Sequence, residues 1–136
     1  MSKSALVVSA HPGDFVWRAG GAIALHARRD YCVKIVCLAF GERGESQFAW
    51  KQPGMTLDTH QPEMCNFKPQ VILNIDEVSD VKRKTFEILA AQKHLWAYYE
   101  RVALQRGMQG GRNSGKAMTY GEAYQRLFPM AMEELA

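Results

Sequence analysis

The chain of 136 residues carries 17 Lys and Arg against 14 Asp and Glu, a formal net charge of +3, with 47% hydrophobic and 23% charged residues. These proportions are typical of one globular domain and exclude a disordered or fibrous chain. No apolar run approaches the roughly 18 residues of a membrane span, and so small an excess of positive charge does not indicate nucleic-acid binding. We therefore expect a cytoplasmic protein with neither a membrane nor a nucleic acid as partner.

The N-terminal part predicts a strand–helix–strand unit. Residues 5–10 (ALVVSA) are a short uncharged run rich in β-branched residues, which suits a strand buried on both faces. A turn at residues 12–13 breaks this run, and Asp14 is placed to cap a helix over residues 15–29. Residues 33–40 (VKIVCLAF) predict a second strand. In such a unit the two strands run parallel.

The rest of the chain alternates irregular and periodic stretches. Residues 41–70 hold three prolines and three glycines and predict a long loop, followed by a third strand over residues 71–75. Apolar residues three or four positions apart predict one long helix over residues 76–106. The glycine-rich residues 107–115 indicate a flexible link, and a capping-box pattern predicts a terminal helix over residues 119–129.

The three cysteines are Cys32, Cys37 and Cys65. Their number is odd, and none of them is part of the CxxC spacing that is typical of metal-binding or redox sites. Cys32 and Cys37 flank the second predicted strand. We expect both to be buried thiols in a reducing compartment.

The turn after the first strand is the most informative place for chemistry, because ligands of open α/β sheets bind beyond the carboxyl ends of the strands. His11 and Asp14 lie there, three residues apart. An imidazole and a carboxylate in this position are acceptable ligands for one divalent ion such as zinc. The alternative is structural: Asp14 caps the helix and His11 is a turn residue.

The loop after the second strand, GERGES, carries a second set of candidates. Glu42 and Glu45 offer groups for proton transfer, and Arg43 offers a bidentate grip on a carboxylate or phosphate. The alternative is a polar, glycine-rich turn with solvated charges.

The segment SAHPGDFVWRAGG resembles the zinc-dependent LmbE/PIG-L family, whose signature after the first strand is a turn of the type AHPDD. The family includes N-acetylglucosaminyl de-N-acetylases and a 4-oxalomesaconate hydratase. The runs FVWRAGGAIALH, VCLAFGERGES and WKQPGMT resemble the hydratase branch more closely, as do HQPEMCNFKPQVILNI and LAAQKHLWAYYERVALQRG. The resemblance implies an α/β fold: a truncated, parallel, Rossmann-like sheet begun by a βαβ unit, with a long C-terminal helix.

The resemblance also implies roles for particular residues. His11 and Asp14 match the family's two N-terminal metal ligands, so the implied cofactor is zinc or another divalent metal. The deacetylases place their general-base aspartate at the position of Gly13, which takes no proton, and this departure favours the hydratase branch. Glu45, and after it Glu42, is then the candidate acid/base, and Arg43 or Arg18 is placed to hold substrate carboxylates.

The similarity passes from the family's N-terminal to its C-terminal portion near residues 57–60, so residues 1–136 read as a single shortened domain without the family's central segment. The central segment supplies a third, histidine ligand in the family. Here His60 lies just past the junction and is a candidate for this third ligand. The preferred interpretation is that His60 is an exposed loop residue.

Three functional hypotheses follow. The first is a metal-dependent hydratase, a lyase acting on a small unsaturated oxo-carboxylic acid in the breakdown of aromatic acids such as gallate. The second is an N-deacetylase of the LmbE type. The third is a non-catalytic remnant that associates with itself or with a longer relative.

Overall fold

The computed structural model describes residues 3–38 and 67–128. Within these ranges it contains two short sheets and three α-helices. A mixed α/β architecture with a small parallel sheet and a long C-terminal helix is confirmed. No helix of the described ranges is long and apolar enough to cross a bilayer.

The predicted βαβ unit is present. Strand β1 (Ser4–Ser9) leads into helix α1 (Asp14–Arg28), and strand β2 (Cys32–Cys37) returns parallel to β1. The register runs from Ser4 opposite Cys32 to Ser9 opposite Cys37. The helix begins at Asp14 with Gly13 as its N-cap, and no side chain caps it. The prediction that Asp14 caps the helix is therefore wrong.

The prediction that β1 is buried on both faces is also wrong. Helix α1 packs on one face of the β1–β2 sheet. On the other face Leu6 is 66% exposed, Val8 60% and Leu38, just past β2, 71%. Cys32 and Cys37 are exposed instead of buried. A parallel sheet is normally covered on both faces, and among the described residues nothing covers the second one.

The second sheet is an antiparallel pair of β3 (Val71–Asn74) and β4 (Gly121–Tyr124). Strand β3 was predicted, whereas β4 falls where the capping-box pattern predicted the terminal helix over 119–129. That helix prediction is wrong over residues 119–128, the described part of its range, which contain no helix. Glu122, which would have completed the capping box, instead turns its carboxylate into the protein.

The single helix predicted over residues 76–106 is divided. A 3-10 turn (Asp76–Val78) leads into α2 (Ser79–Ile88), and a kinked 3-10 stretch (Ala90–Leu95) leads into α3 (Trp96–Ser114). Gln92 has a non-helical backbone at the kink. The apolar period continues across this break, which is why the sequence pattern did not reveal it.

Helix α3 runs through the glycines that were predicted to end it and to form a flexible link. Gly107 and Gly110 are buried, and the helix ends at Gly115, whose φ of 65° is the left-handed conformation of a C-cap. A Cβ on Gly107 would overlap the carbonyl oxygen of Thr119 and lie 2.7 Å from the nitrogen of Tyr120. The glycines therefore serve close packing of α3 against the chain that enters β4.

The apolar core is small. Leu25, Ile75 and Val78 are its fully buried centre. An aromatic layer extends it, because Trp17 lies 4.6 Å from Phe86 and stacks on Tyr99 at 5.2 Å, measured between ring centroids.

A buried polar cluster joins three elements beside this core. The Glu122 carboxylate accepts hydrogen bonds from the backbone N–H groups of Gly21 (2.7 Å) and Ala22 (2.8 Å) in α1, and pairs with the Lys82 ammonium of α2 at 2.6 Å. The Tyr124 hydroxyl donates to its second oxygen at 2.5 Å. Burial and the neighbouring carboxylate raise the pKa of the Tyr124 hydroxyl well above its ordinary value, so it remains a donor.

Replacing Glu122 by Gln should destabilise the protein by about 3 kcal/mol or more, because Lys82 would be left buried without a counter-ion. The matched control is Glu77→Gln, which removes an exposed pairing with Arg28 and should cost under about 1 kcal/mol. Urea unfolding of both variants measures the difference. Equal losses would show that the cluster is not a principal source of stability.

Replacing Gly107 by Ala should be destabilising, since the new methyl group overlaps the backbone at Thr119. Gly20→Ala is the control: among the described residues its methyl group would meet the Lys82 side chain at 3.5 Å, and it should raise stability by up to about 1 kcal/mol through helix propensity. Thermal unfolding should give opposite signs for the two variants. The same sign would contradict the close packing assigned to Gly107.

Candidate metal centre

The candidate site is the turn between β1 and α1. Ser9 ends the strand and donates its hydroxyl to the carbonyl oxygen of His11 at 2.7 Å, which holds the turn against the sheet. The N–H of Asp14 donates to the same carbonyl at 3.2 Å. These two bonds place the side chains of His11 and Asp14 at the carboxyl end of the strand.

The two predicted ligands are in contact. One carboxylate oxygen of Asp14, Oδ2, lies 3.2 Å from Nδ1 of the His11 ring and accepts the His11 backbone N–H, also at 3.2 Å. The His11 side chain is 59% exposed and that of Asp14 37% exposed, so both are accessible to an ion from solution. The carboxylate turns back to His11 and caps no helix N–H, so Asp14 closes the turn through the His11 backbone instead of capping α1.

The pair has a suitable donor set for zinc. Two ligands of one tetrahedral zinc ion lie roughly 3.4 Å apart, given bond lengths near 2.0–2.2 Å. The nitrogen and oxygen of His11 and Asp14 are separated by a similar distance. In the parts of the chain that the structure describes, no group of three or more His, Cys, Asp or Glu side chains is placed to hold a metal. That the two residues bind a metal remains a prediction.

The other predicted site residues lie in different places. Arg18 is exposed on α1, one helical turn after Asp14. Glu42, Arg43, Glu45 and His60 lie outside the described residues, as does Cys65. The structure thus brings together the two predicted metal ligands, and the predicted acid/base groups are not tested by it.

Gly13, between the two ligands, is set by packing. Its backbone is in the ordinary right-handed region (φ −87°, ψ −26°), which any residue adopts. A Cβ at this position would lie 3.2 Å from the indole nitrogen of Trp17 and 3.1 Å from the amide oxygen of Gln92. Those two atoms are hydrogen-bonded to each other at 3.1 Å. A Cβ at position 13 would therefore require these two side chains to move by a few tenths of an ångström.

Sequence reasoning missed the residues that fix α1 beside this turn. Lys82 follows Val78 and precedes Phe86 at four-residue spacing, so it lies on the buried side of its helix. A lysine on an apolar helix face is a detectable signal, since such a group needs a buried partner. Its partner Glu122 gave no such signal.

Comparison with known proteins places these features in a family. The sequence profile of PIG-L, described as GlcNAc-PI de-N-acetylase, matches residues 6–106. A 4-oxalmesaconate hydratase of Pseudomonas putida KT2440 is 31% identical over 239 residues, covering 98% of this chain and 93% of the relative. The crystal structure of GalB, the 4-carboxy-2-hydroxymuconate hydratase from Pseudomonas putida KT2440, superposes with a TM-score of 0.82 at 31% identity and covers 98% of this chain and 100% of that one.

The alignment with the curated relative is longer than this chain. Its 239 positions exceed the 136 residues present, so at least 103 of them have no counterpart here (239 − 136). The predicted junction near residues 57–60 lies outside the described residues.

The match over residues 6–106 covers most of the chain, and the identity to the hydratase extends over 98% of it. The chain therefore belongs to the PIG-L family and is a homologue of the 4-oxalmesaconate hydratase of Pseudomonas putida.

Proposed function

We propose that this chain is a metal-dependent hydratase of a small unsaturated oxo-carboxylic acid, of the kind met in the breakdown of aromatic acids. The observation that carries the proposal is the contact of His11 with Asp14 across Gly13, at the carboxyl end of β1. The hydratase names of the two relatives support the same reaction class.

The two side chains would act as metal ligands. His11 and Asp14 would hold a divalent cation such as zinc, which when bound supplies Lewis acidity toward a substrate oxygen. Their exposure leaves room for a substrate carboxylate beside them.

Hydration of a carbon–carbon double bond adds a proton to one carbon and a hydroxyl group to the other, so the site needs a group that gives or takes a proton. We assign this role to Glu45, with Glu42 as the second choice. Arg43 and Arg18 are the proposed partners of the substrate carboxylates, since a guanidinium binds a carboxylate through two parallel hydrogen bonds.

De-N-acetylation is the competing chemistry within the family, and the glycine at position 13 argues against it because it supplies no general base. A base carboxylate at position 13 would meet the hydrogen-bonded pair of Trp17 and Gln92. Acetate release from an N-acetylglucosamine conjugate, without hydration of a dicarboxylate, would reverse this preference. Neither activity in a folded, metal-loaded chain would instead favour the non-catalytic remnant.

Replacing His11 or Asp14 by Ala should abolish zinc binding of about one ion per chain. In the unmodified chain, zinc at one hundred times its dissociation constant should raise the free energy of unfolding by about 2.7 kcal/mol. The measurements are metal content after equilibrium dialysis and thermal unfolding with and without zinc.

The control for the metal experiment is His94→Ala, which removes an exposed imidazole elsewhere. All variants carry Cys32→Ser and Cys37→Ser, because both residues are exposed and thiolates are good zinc ligands. Equal zinc content and equal stabilisation in His11→Ala and His94→Ala would refute the metal site.

Replacing Glu45 by Gln should lower kcat for hydration of 4-oxalmesaconate by about 10²–10⁴, the usual contribution of a general acid or base. Zinc content should not change. Glu42→Gln should have the smaller effect, and Glu87→Gln, an exposed residue of α2, should have none. Unchanged turnover in Glu45→Gln together with a large loss in Glu42→Gln would move the role to Glu42.

A further inference from the structure

The side chain of Gln92 lies beside the candidate metal centre, although it comes from a distant part of the chain. Its amide oxygen, Oε1, lies 3.1 Å from the point that a Cβ on Gly13 would occupy. Gly13 separates the two candidate ligands His11 and Asp14 in sequence, and their side chains are in contact at 3.2 Å. The Gln92 amide is therefore a polar group within reach of a small molecule bound at this turn.

The chain departs from helical geometry at Gln92. The residue has φ −110° and ψ 28° within the 3-10 stretch Ala90–Leu95 that separates α2 from α3. Its backbone N–H donates to the carbonyl oxygen of Leu89 at 2.9 Å. In a continuous helix through this region, the side chain at position 92 would leave the backbone in a different direction. The kink thus takes part in directing Gln92 to the metal turn.

The orientation of the Gln92 amide follows from its hydrogen bond to Trp17. The indole nitrogen of Trp17 lies 3.1 Å from Oε1. An indole N–H can only donate, so the amide atom that faces it is the oxygen, and the amino group Nε2 is turned away from it. The Trp17 ring is itself held in place, because it is 3% exposed and packs against Phe86 and Tyr99.

The amino group of Gln92 has donors to spare. Within residues 3–38 and 67–128, no acceptor is hydrogen-bonded to Nε2. Gln92 is half-buried, and Nε2 is not among the polar atoms that are buried without a partner, so it reaches solvent. The side chain therefore presents an oriented and accessible hydrogen-bond donor beside the candidate metal centre.

A carboxylate is the kind of ligand that such a donor suits. Carboxylate oxygens accept hydrogen bonds and donate none, whereas a primary amide offers two N–H donors. The structural alternative is that Gln92 serves only to accept the N–H of Trp17. That role uses Oε1 and leaves Nε2 without a function.

We propose that Gln92 is a substrate-binding residue, whose Nε2 donates a hydrogen bond to a carboxylate oxygen of the ligand at the His11–Asp14 turn. The identity of the ligand as a small carboxylic acid rests on the proposed hydratase function. Trp17 acts as the positioning residue, because its N–H fixes which end of the amide faces the ligand. The assignment gives the kink between α2 and α3 a part in ligand recognition.

The test separates the donor of Gln92 from its oxygen. Gln92→Glu keeps an oxygen that accepts the Trp17 N–H, removes the donor and adds a negative charge. Gln92→Met removes both the oxygen and the donor and adds no charge. The probe is succinate, a dicarboxylate without a double bond to hydrate, and its binding is measured by isothermal titration calorimetry on the full chain equilibrated with zinc.

The unmodified chain should bind succinate, and both Gln92 variants should weaken binding about tenfold or more, as expected for a hydrogen bond to a charged group. The control is Gln105→Glu, which makes the same charge change at an exposed position of α3 and should bind like the unmodified chain. No binding by the unmodified chain, or equal binding by Gln92→Glu and Gln105→Glu, would overturn the proposal. Weaker binding in Gln92→Glu but not in a folded Gln92→Met would also overturn it, because charge repulsion would then be the cause.

Thermal unfolding distinguishes ligand binding from a structural role. Gln92→Met leaves the indole N–H of Trp17 without its acceptor and should lower the melting temperature, whereas Gln92→Glu should melt close to the unmodified chain. Weaker succinate binding in Gln92→Glu at unchanged stability is a result that a structural role would not give. If Gln92→Met does not fold, the comparison of Gln92→Glu with Gln105→Glu decides.

The binding role and the hydratase function fail separately. Succinate binding that depends on Gln92, without hydration of 4-oxalmesaconate, would leave the binding role standing and remove the proposed reaction. Hydration with an unchanged KM in Gln92→Met would do the reverse. The zinc content of Gln92→Met should equal that of the unmodified chain. A loss of zinc in this variant would overturn the role, since weaker succinate binding would then follow from loss of the metal.

Discussion

The described structure depends on one buried carboxylate. Glu122 is bonded at once to the backbone of α1, to Lys82 of α2 and to its strand neighbour Tyr124. A buried ionised group is tolerated only when its charge is matched and its oxygens accept hydrogen bonds, and here both conditions are met. The carboxylate thereby joins segments about one hundred residues apart in sequence: Gly21 and Glu122 differ by 101 positions.

The bonds of Glu122 to α1 help to fix the position of the candidate metal centre, which lies in the turn before that helix. Helix α1 is attached in its middle by Glu122, and near its start Trp17 packs against the rings of Phe86 and Tyr99. With the helix held on two sides, the turn that precedes it has a defined direction. His11 and Asp14 can then meet at the end of β1 without any capping bond of their own, because the helix does not rely on Asp14 for its start.

The sequence predicted correctly those elements that are determined by interactions between residues close together in the chain. The uncharged run at residues 5–10 and the turn after it gave β1, α1 and the His11–Asp14 pair, since strand preference and turn chemistry act within a few residues. The errors lie where a distant contact decides. A glycine such as Gly107 is typical of a helix end, but here it lies inside α3, where its missing side chain permits close packing against Thr119. Glu122 fits a capping-box pattern, but its carboxylate pairs with the buried Lys82 instead. The acid/base pair Glu42 and Glu45 was assigned by resemblance and remains a prediction.

The β1–β2 sheet leaves apolar side chains exposed on one face, yet the turn between β1 and α1 is well formed. Leu6, Val8 and Leu38 are left in contact with solvent among the described residues, while at least 103 aligned positions of the relative have no residue here (239 − 136). Apolar sheet faces are covered in parallel folds, and the described ranges 3–38 and 67–128 supply no element that covers this one. Helix α1 keeps its contacts with α2 and β4, where the buried Glu122 carboxylate accepts its backbone N–H groups, and Trp17 of α1 stacks on Tyr99 of α3. The turn with His11 and Asp14 lies at the start of α1, which packs on the β1–β2 sheet and is also hydrogen-bonded to Glu122. Its position is therefore fixed by contacts within the described residues.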